Sequence, residues 1–250
     1  ATTEIYTLSL HDALPISKII EFLNNFFSEQ KTISKKKLKA IVTSGPTKEY
    51  IDPIRYISNN SSGKQGYEIA KSLIKNGIET TLISGPTNLP DPKNLNLIKV
   101  QTGEEMYEET KKNLTVDIAV CAAAVGDFKI SKFQKNKIKK QDKINLELEK
   151  NRDILNFLST HNSLRPNLVI GFAAETNNII ENAEAKISKK HCDWIIANDV
   201  SKSEIGFDSD FNEVSIIYKD KNKKNELISK RNKSEIAEEI TKRILANFNT

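Results

Sequence analysis

The strongest constraint on this chain is a rhythm. Short, largely apolar runs lie at Ala40–Thr43, Thr80–Ile83, Leu97–Val100, Ile118–Cys121, Leu168–Gly171 and Trp194–Ala197. Between them come segments whose apolar residues recur at helical spacing. These are Lys64–Lys75, with Ile69, Ala70, Leu73 and Ile74 on one face, then Glu104–Lys112, a helix opening at Asp153–Leu158, and Ile179–Lys190. A strand that is apolar at every position is covered on both faces, and parallel strands need crossovers, which helices supply. The spacing therefore predicts an α/β fold of three layers, a mostly parallel sheet with helices on both faces. A late strand is expected at Glu213–Tyr218. A final helix opens at Asn232, where Glu235 makes a capping-box arrangement and Ile236, Ile240 and Ile244 share a face. Lys143–Leu148 alternates like an exposed strand.

Composition narrows the function classes. Hydrophobic residues are 38% and charged residues 28% of 250, the balance of a globular chain with a sizeable core. No apolar run is long enough to cross a bilayer and no basic-then-apolar leader is seen, so the expectation is a cytoplasmic protein without a membrane partner. Cys121 and Cys192 read as buried free thiols, because two cysteines and three histidines offer no metal-ligand spacing. The formal charge of +5 comes from lysines dense at 35–39, 129–143, 186–190 and 219–233. Interspersed acids, and the lack of a regular aromatic–basic interleaving, argue against a nucleic-acid partner. Residues 1–16 fit nothing downstream and read as a non-native, adapter-like leader. Ser17–Glu29 carries Ile19, Ile20, Leu23, Phe26 and Phe27 at helical spacing and, with Lys31–Lys37, forms an expected linker over 17–37. The domain proper is expected over 38–250.

Ligands of open α/β sheets bind outside the carboxyl ends of the strands. After the first strand comes Gly45-Pro46-Thr47 and a long polar loop, Asp52 to Lys64. Its Ser, Asn and Gly residues suit either an anion site before the helix or a structural Ω-loop. Ser58 and Gln65 break a Walker A pattern, and Gly63 with Gly66 alone do not make G-x-G-x-x-G. The small-residue tract Cys121-Ala122-Ala123-Ala124-Val125-Gly126-Asp127 lets a flat ring or a phosphate approach the backbone. Asp127 is either a ligand group or a turn cap. Lys137-Ile138-Lys139-Lys140 suits an extended cationic segment or a solvated face. Phe172, expected just past its strand, is either a stacking platform or core, and Lys186 and Lys190 share a helix face.

Taken together, SGPTKEYIDPIRYISNNSSGKQGYEIA, TLISGPTNLP, CAAAVGDFKI, KIKKQ, NRDIL, VIGFAAETNN and ANDVSKSEIGFDSDFNEV resemble the phosphopantothenate–cysteine ligase domain. That domain is usually the C-terminal half of a bacterial bifunctional phosphopantothenoylcysteine decarboxylase/synthase. The segments come in the family's order over Leu38–Ile244. The resemblance implies a Rossmann-like fold with a protruding dimerisation strand segment, Phe128–Leu148, and a homodimer. It implies a ligase that joins 4'-phosphopantothenate to L-cysteine with CTP and Mg²⁺, through an acyl-cytidylate, in coenzyme A biosynthesis. Asn59 would stabilise that intermediate, Arg55 would support binding or the second half-reaction, and Lys137 would meet the triphosphate. Gly45, Cys121, Ala122, Ala123 and Asp127 would bind CTP. Arg152, Asp153, Ile154, Leu155, Phe172, Lys186 and Lys190 would complete the nucleotide pocket. No residue is assigned to Mg²⁺. The family's FMN belongs to the decarboxylase half, which precedes the linker and has no counterpart here. Two positions depart from the family pattern: Arg152 stands where Asn-Pro-Asp has proline, and Gly126 stands where alanine is frequent.

Two other classes are weighed against this. An NAD(P)-dependent oxidoreductase on the same sheet lacks its glycine fingerprint and the ribose-binding acid after the second strand. A basic nucleic-acid-binding module would spread its lysines over one convex face rather than gather them on a pocket.

Overall fold

The computed structural model describes residues 16, 20, 37–140, 142–201 and 209–248. Apart from Ile16 and Ile20, the expected leader and the helix over 17–29 lie outside the described residues. The unit Leu38–Thr250 is the one considered below. Its strands in chain order are β1 (Lys39–Ser44), β2 (Lys48–Tyr50), β3 (Tyr56–Ser58), β4 (Glu79–Ser84), β5 (Asn96–Lys99), β6 (Ile118–Cys121), β7 (Phe128–Ile130), β8 (Leu148–Lys150), β9 (Leu168–Glu175), β10 (Trp194–Asp199), β11 (Phe211–Tyr218) and β12 (Glu226–Asn232). Its helices are α1 (Lys64–Lys75), α2 (Gly103–Lys112), α3 (Ile154–Thr160), α4 (Ile179–Lys190) and α5 (Lys233–Phe248).

The main sheet runs β12-β11-β10-β9-β6-β1-β4-β5. From β10 to β5 every neighbour is parallel, and β11 and β12 close one edge antiparallel. Side chains on successive strand residues point to opposite faces, and β1 shows it. Ala40 and Val42 join Ile69 and Leu73 of α1 and Ile236, Ile240 and Ile244 of α5. Ile41 joins Met106 of α2, Leu158 of α3 and Ile187 of α4 on the other face. The predicted three-layer α/β sheet is the observed one.

Local chemistry sets the helix ends. Thr102 caps α2 by accepting the Glu105 N–H at 3.1 Å. Asp153 caps α3 by accepting the Asn156 N–H at 2.9 Å. Glu235 Oε2 accepts the Asn232 N–H at 3.0 Å, the reach-back half of the expected capping box. At the switch in direction between β6 and β1, chain connections leave the sheet to opposite sides, and a crevice opens at the strands' carboxyl ends.

Two expectations are corrected, and one strand goes beyond them. The alternating stretch Lys143–Leu148 is irregular up to residue 147; only Leu148–Lys150 is strand, pairing with β7 of the same chain. Alternation alone does not make a strand; before Leu148 the bond that Glu147 O accepts from the Ser131 N–H at 3.1 Å does not extend into a ladder. Phe172 lies inside β9 rather than beyond it, because β9 keeps pairing with β10 as far as Glu175. β12 was not foreseen, because an edge strand with one buried apolar residue, Ile228, reads as a charged linker.

The turn after β2 is built around Asp52, which is wholly buried. Its Oδ1 accepts the N–H groups of Ile54 and Arg55, both at 2.9 Å. Its Oδ2 accepts the Arg55 guanidinium at 2.6 Å and the Ile138 N–H at 3.1 Å. Burial by itself would raise the carboxyl's pKa. The backbone donors of Ile54, Arg55 and Ile138 and the guanidinium outweigh it and hold Asp52 well below the usual carboxylate range. A depressed carboxyl stabilises the fold above its unfolded pKa and loses that contribution as pH falls toward the folded value. Asp52→Asn turns amide hydrogens toward two donors. It should lower the denaturant midpoint at pH 7, and the gap to wild type should close as pH drops below about 4; equilibrium unfolding across that range measures it.

Candidate functional site

Two adjoining hollows open at the carboxyl ends of β1, β6, β9 and β10, with Ala123, Val125, Asp127, Phe172 and Lys186 in both linings. One, of about 360 Å³, is walled by Asn59 to Gly66 at the start of α1, by Ala122 to Val125, and by Asn198, Asn212 and Lys233. The other, of about 720 Å³, is walled by Thr43, Cys121, Lys150 to Leu155, Lys189 and Lys190.

The loop between them is held through its backbone. Ala122 N–H donates to Thr43 O at 3.1 Å and Ala124 N–H to Gly45 O at 2.9 Å. Gly126 N–H donates to Thr47 Oγ1 at 3.0 Å. Asn59 Nδ2 donates to Ala124 O at 3.0 Å and Val125 O at 3.1 Å. Carbonyls only accept, so the nitrogen of that amide faces the loop and Asn59 is left with an acceptor oxygen.

Cations gather in the larger hollow. Lys186 Nζ donates to Phe172 O at 2.9 Å. Burial pulls its pKa down and Lys190 repels it, while Glu175 and Asp127 attract; the balance leaves it below the usual lysine value. Lys190 pairs with Asp153 Oδ2. Arg152 reaches Glu104 and Glu108 of α2 and lies 4.7 Å over the Tyr107 ring. Cys121 is half-buried in the wall, and burial pushes its thiol up to about 12.

Of the sequence candidates, Asn59, Cys121, Ala122, Ala123, Asp127, Arg152, Asp153, Ile154, Leu155, Phe172, Lys186 and Lys190 all line one hollow or both. Gly45, Arg55 and Lys137 line neither. Gly45, at φ +74°, sits behind the wall, where a Cβ would meet Gly85 O and Thr87 Cγ2 at 3.0 Å. Arg55 is spent on Asp52 and on Ile138 O, at 2.7 Å, and the neighbouring Lys137 is exposed. Sequence reasoning missed Asn198, Asn212 and Lys233. They come from β10, β11 and the start of α5, and only the sheet order brings them beside α1. Among the described residues no group of three His, Cys, Asp or Glu side chains is placed to hold a metal. No helix among them is long and apolar enough to cross a membrane.

Residues 35–248 match the family model of the DNA/pantothenate metabolism flavoprotein C-terminal domain. The chain belongs to that family. It is 38% identical over 233 residues to the coenzyme A biosynthesis bifunctional protein CoaBC of Haemophilus influenzae, covering 92% of this chain and 56% of that protein. Against CoaBC of Borreliella burgdorferi it is 42% identical over 230 residues, covering 90% and 56%. The chain thus spans a little over half the length of these relatives. The crystal structure of the C-terminal domain of a CoaBC protein superposes with a TM-score of 0.70 at 33% identity, over 85% of this chain and 96% of that one. A Cab2 variant in complex with phosphopantothenate-cysteine shares the fold, with a TM-score of 0.69 at 17% identity over 94% of this chain and 93% of that one.

Asn59 generates a test in this family member. Asn59→Asp sets a carboxylate against two carbonyl oxygens and against any anionic intermediate. On the activity the resemblance implies, nucleotide binding should persist, weakened about tenfold by the loosened loop, while product formation falls about a hundredfold or more. Direct nucleotide titration beside single-turnover product analysis separates the two effects.

Proposed function

We propose that this chain is the ligase part of a coenzyme A biosynthetic protein, joining 4'-phosphopantothenate to L-cysteine at the expense of CTP in the cytoplasm. The observation that carries the reading is the pair of adjoining hollows with one small-residue loop in common, in a chain of this family. Two ligands that must react can be held side by side across such a wall.

The chemistry follows from what a carboxylate lacks. As an electrophile it is poor, so its oxygen attacks the α-phosphorus of CTP. A mixed anhydride, the acyl-cytidylate, forms and pyrophosphate leaves. The amine of cysteine then attacks the acyl carbon, CMP departs, and the amine proton passes to solvent. No covalent protein nucleophile is needed. In the larger hollow, Phe172 and the backbone from Arg152 to Leu155 would take the base and ribose. Lys186, Lys189 and Lys190 would offset phosphate charge. The acceptor oxygen of Asn59 suits the N–H of the incoming amine, and its nitrogen keeps the loop in place. Among the described residues no three carboxylate, thiol or imidazole groups gather around a cation, and Mg²⁺, when bound with the nucleotide, would supply charge neutralisation.

Lys137 would act from the segment that Asp52 and Arg55 clamp through Ile138. Losing a charge-assisted contact should weaken CTP binding about tenfold or more in Lys137→Gln. The assay is pyrophosphate release with phosphopantothenate, using CTP and ATP in turn, with and without cysteine. Release with CTP but not ATP supports the reading. No release with any nucleoside triphosphate overturns it, and unchanged CTP affinity in the variant returns Lys137 to a solvated face.

Ile54, Tyr56, Phe128, Phe133, Ile144, Leu146 and Leu148 are all exposed. Apolar side chains gathered on segments linked by the Asp52 clamp and the β7–β8 pair suit a second copy of the chain. A homodimer would let 128–148 close over a shared site. Sedimentation at micromolar concentration should give a dimer, and a fully active monomer would remove the shared site.

A further inference from the structure

Glu49 lines neither hollow of the site, yet it is 4% exposed and carries a carboxylate that the proposed reaction does not use. Its Oε1 accepts the Thr47 hydroxyl at 2.9 Å and the Gly103 N–H, at the start of α2, at 3.1 Å. The Thr47 oxygen in turn accepts the Gly126 N–H at 3.0 Å.

Two glycines make room for this side chain. A Cβ on Gly126 would lie 3.1 Å from Glu49 Cγ, and one on Gly103 would lie 3.1 Å from Glu49 Oε1 and 2.4 Å from Asn151 Nδ2. That Asn151 nitrogen is buried without a hydrogen-bond partner among the described residues, while the Asn151 N–H donates to Asp127 O at 2.9 Å. Glu49 therefore stands where the loop before Asp127, the start of α2 and the segment leading to Asp153 meet.

Direction matters in this chain of bonds. A backbone N–H only donates, so a lone pair of the Thr47 hydroxyl turns to Gly126 and its single hydrogen turns to the Glu49 oxygen. A side chain at 49 with no acceptor there would not hold that orientation. Burying a carboxylate is unfavourable unless it is well hydrogen-bonded, and charge-assisted bonds are roughly twice as strong as neutral ones.

We propose that Glu49 is a positioning residue for the reacting loop: it orients the Thr47 hydroxyl, which fixes the Gly126 N–H and so sets Asp127 in the wall common to the two hollows. The part that concerns catalysis rests on the nucleotide reading above.

Thr47→Val keeps the shape and removes the hydroxyl; Thr47→Ser restores it. Amide hydrogen exchange over residues 122–127 should speed up about tenfold in the valine variant and stay near wild type in the serine variant. With activity followed well below the melting temperature, the KM for nucleotide should rise about tenfold in Thr47→Val, with kcat changed less. A purely structural role would lower the melting temperature and leave that KM alone. Wild-type exchange and wild-type KM in folded Thr47→Val overturn the proposal. Should that variant not fold, Glu49→Met carries the test, because it keeps the length of the side chain and removes the oxygen that accepts the Thr47 hydroxyl. Faster exchange and a raised KM support the proposal, and no change in either overturns it. A wild-type protein that turns over no nucleotide strikes the nucleotide reading instead, and the exchange comparison then decides the positioning role alone.

Discussion

The ligand end of this molecule depends on one act of lacing. β1 and β6 lie side by side, and past the sheet their chains continue to bond, from Ala122 to Thr43, from Ala124 to Gly45, and from Gly126 to the Thr47 side chain. An isolated parallel bridge, Pro46 to Ala124, marks the same continuation. Backbones so close admit only small residues. A Cβ on Gly85 would fall 1.8 Å from Pro46 O. The smallness that lets the loops touch each other is also what lets a ligand approach the backbone of Ala122 and Ala123.

Around that frame the charges divide into two kinds. Arg55 and Arg152 are committed to carboxylates of their own neighbourhood, Asp52 in one case and Glu104 with Glu108 in the other. They stiffen the surroundings. Lys186 is different: it is held by a single backbone carbonyl and destabilised by burial and by Lys190. An anion arriving there relieves repulsion already present, so Lys186 is better placed to meet a phosphate than the arginines, while its neighbour Lys190 is shared with Asp153. A count of basic residues does not separate these roles; the partners of each do.

Much of the frame can be read from the amino acids. α1, α4 and β6 end where apolar periodicity and their flanking residues say they should, because these elements bury a face against the sheet and the burial pattern is written locally. The short pairs β2–β3 and β7–β8 are not readable in the same way. Each is three residues long and exists only because its partner is nearby. The site divides likewise. The tract Cys121 to Asp127 and the α4 lysines announce themselves by composition and spacing. Lys233 and Asn212 do not, since nothing in their own neighbourhoods predicts that α5 and β11 will deliver them beside the start of α1. The resemblance implies that Arg55 supports binding or the second half-reaction. Asp52, three residues earlier, was the local sign that its guanidinium had another task.

Cys121 carries a last implication. With its pKa near 12, the fraction ionised at neutral pH is on the order of one in a hundred thousand. Only the thiolate attacks a disulfide. A pocket proposed to work on cysteine will also meet cystine and other oxidised thiols, and a reactive sulfur in its wall would be trapped by them as a mixed disulfide. Burial disfavours the thiolate here, so a sulfur lining that hollow is a poor trap for them.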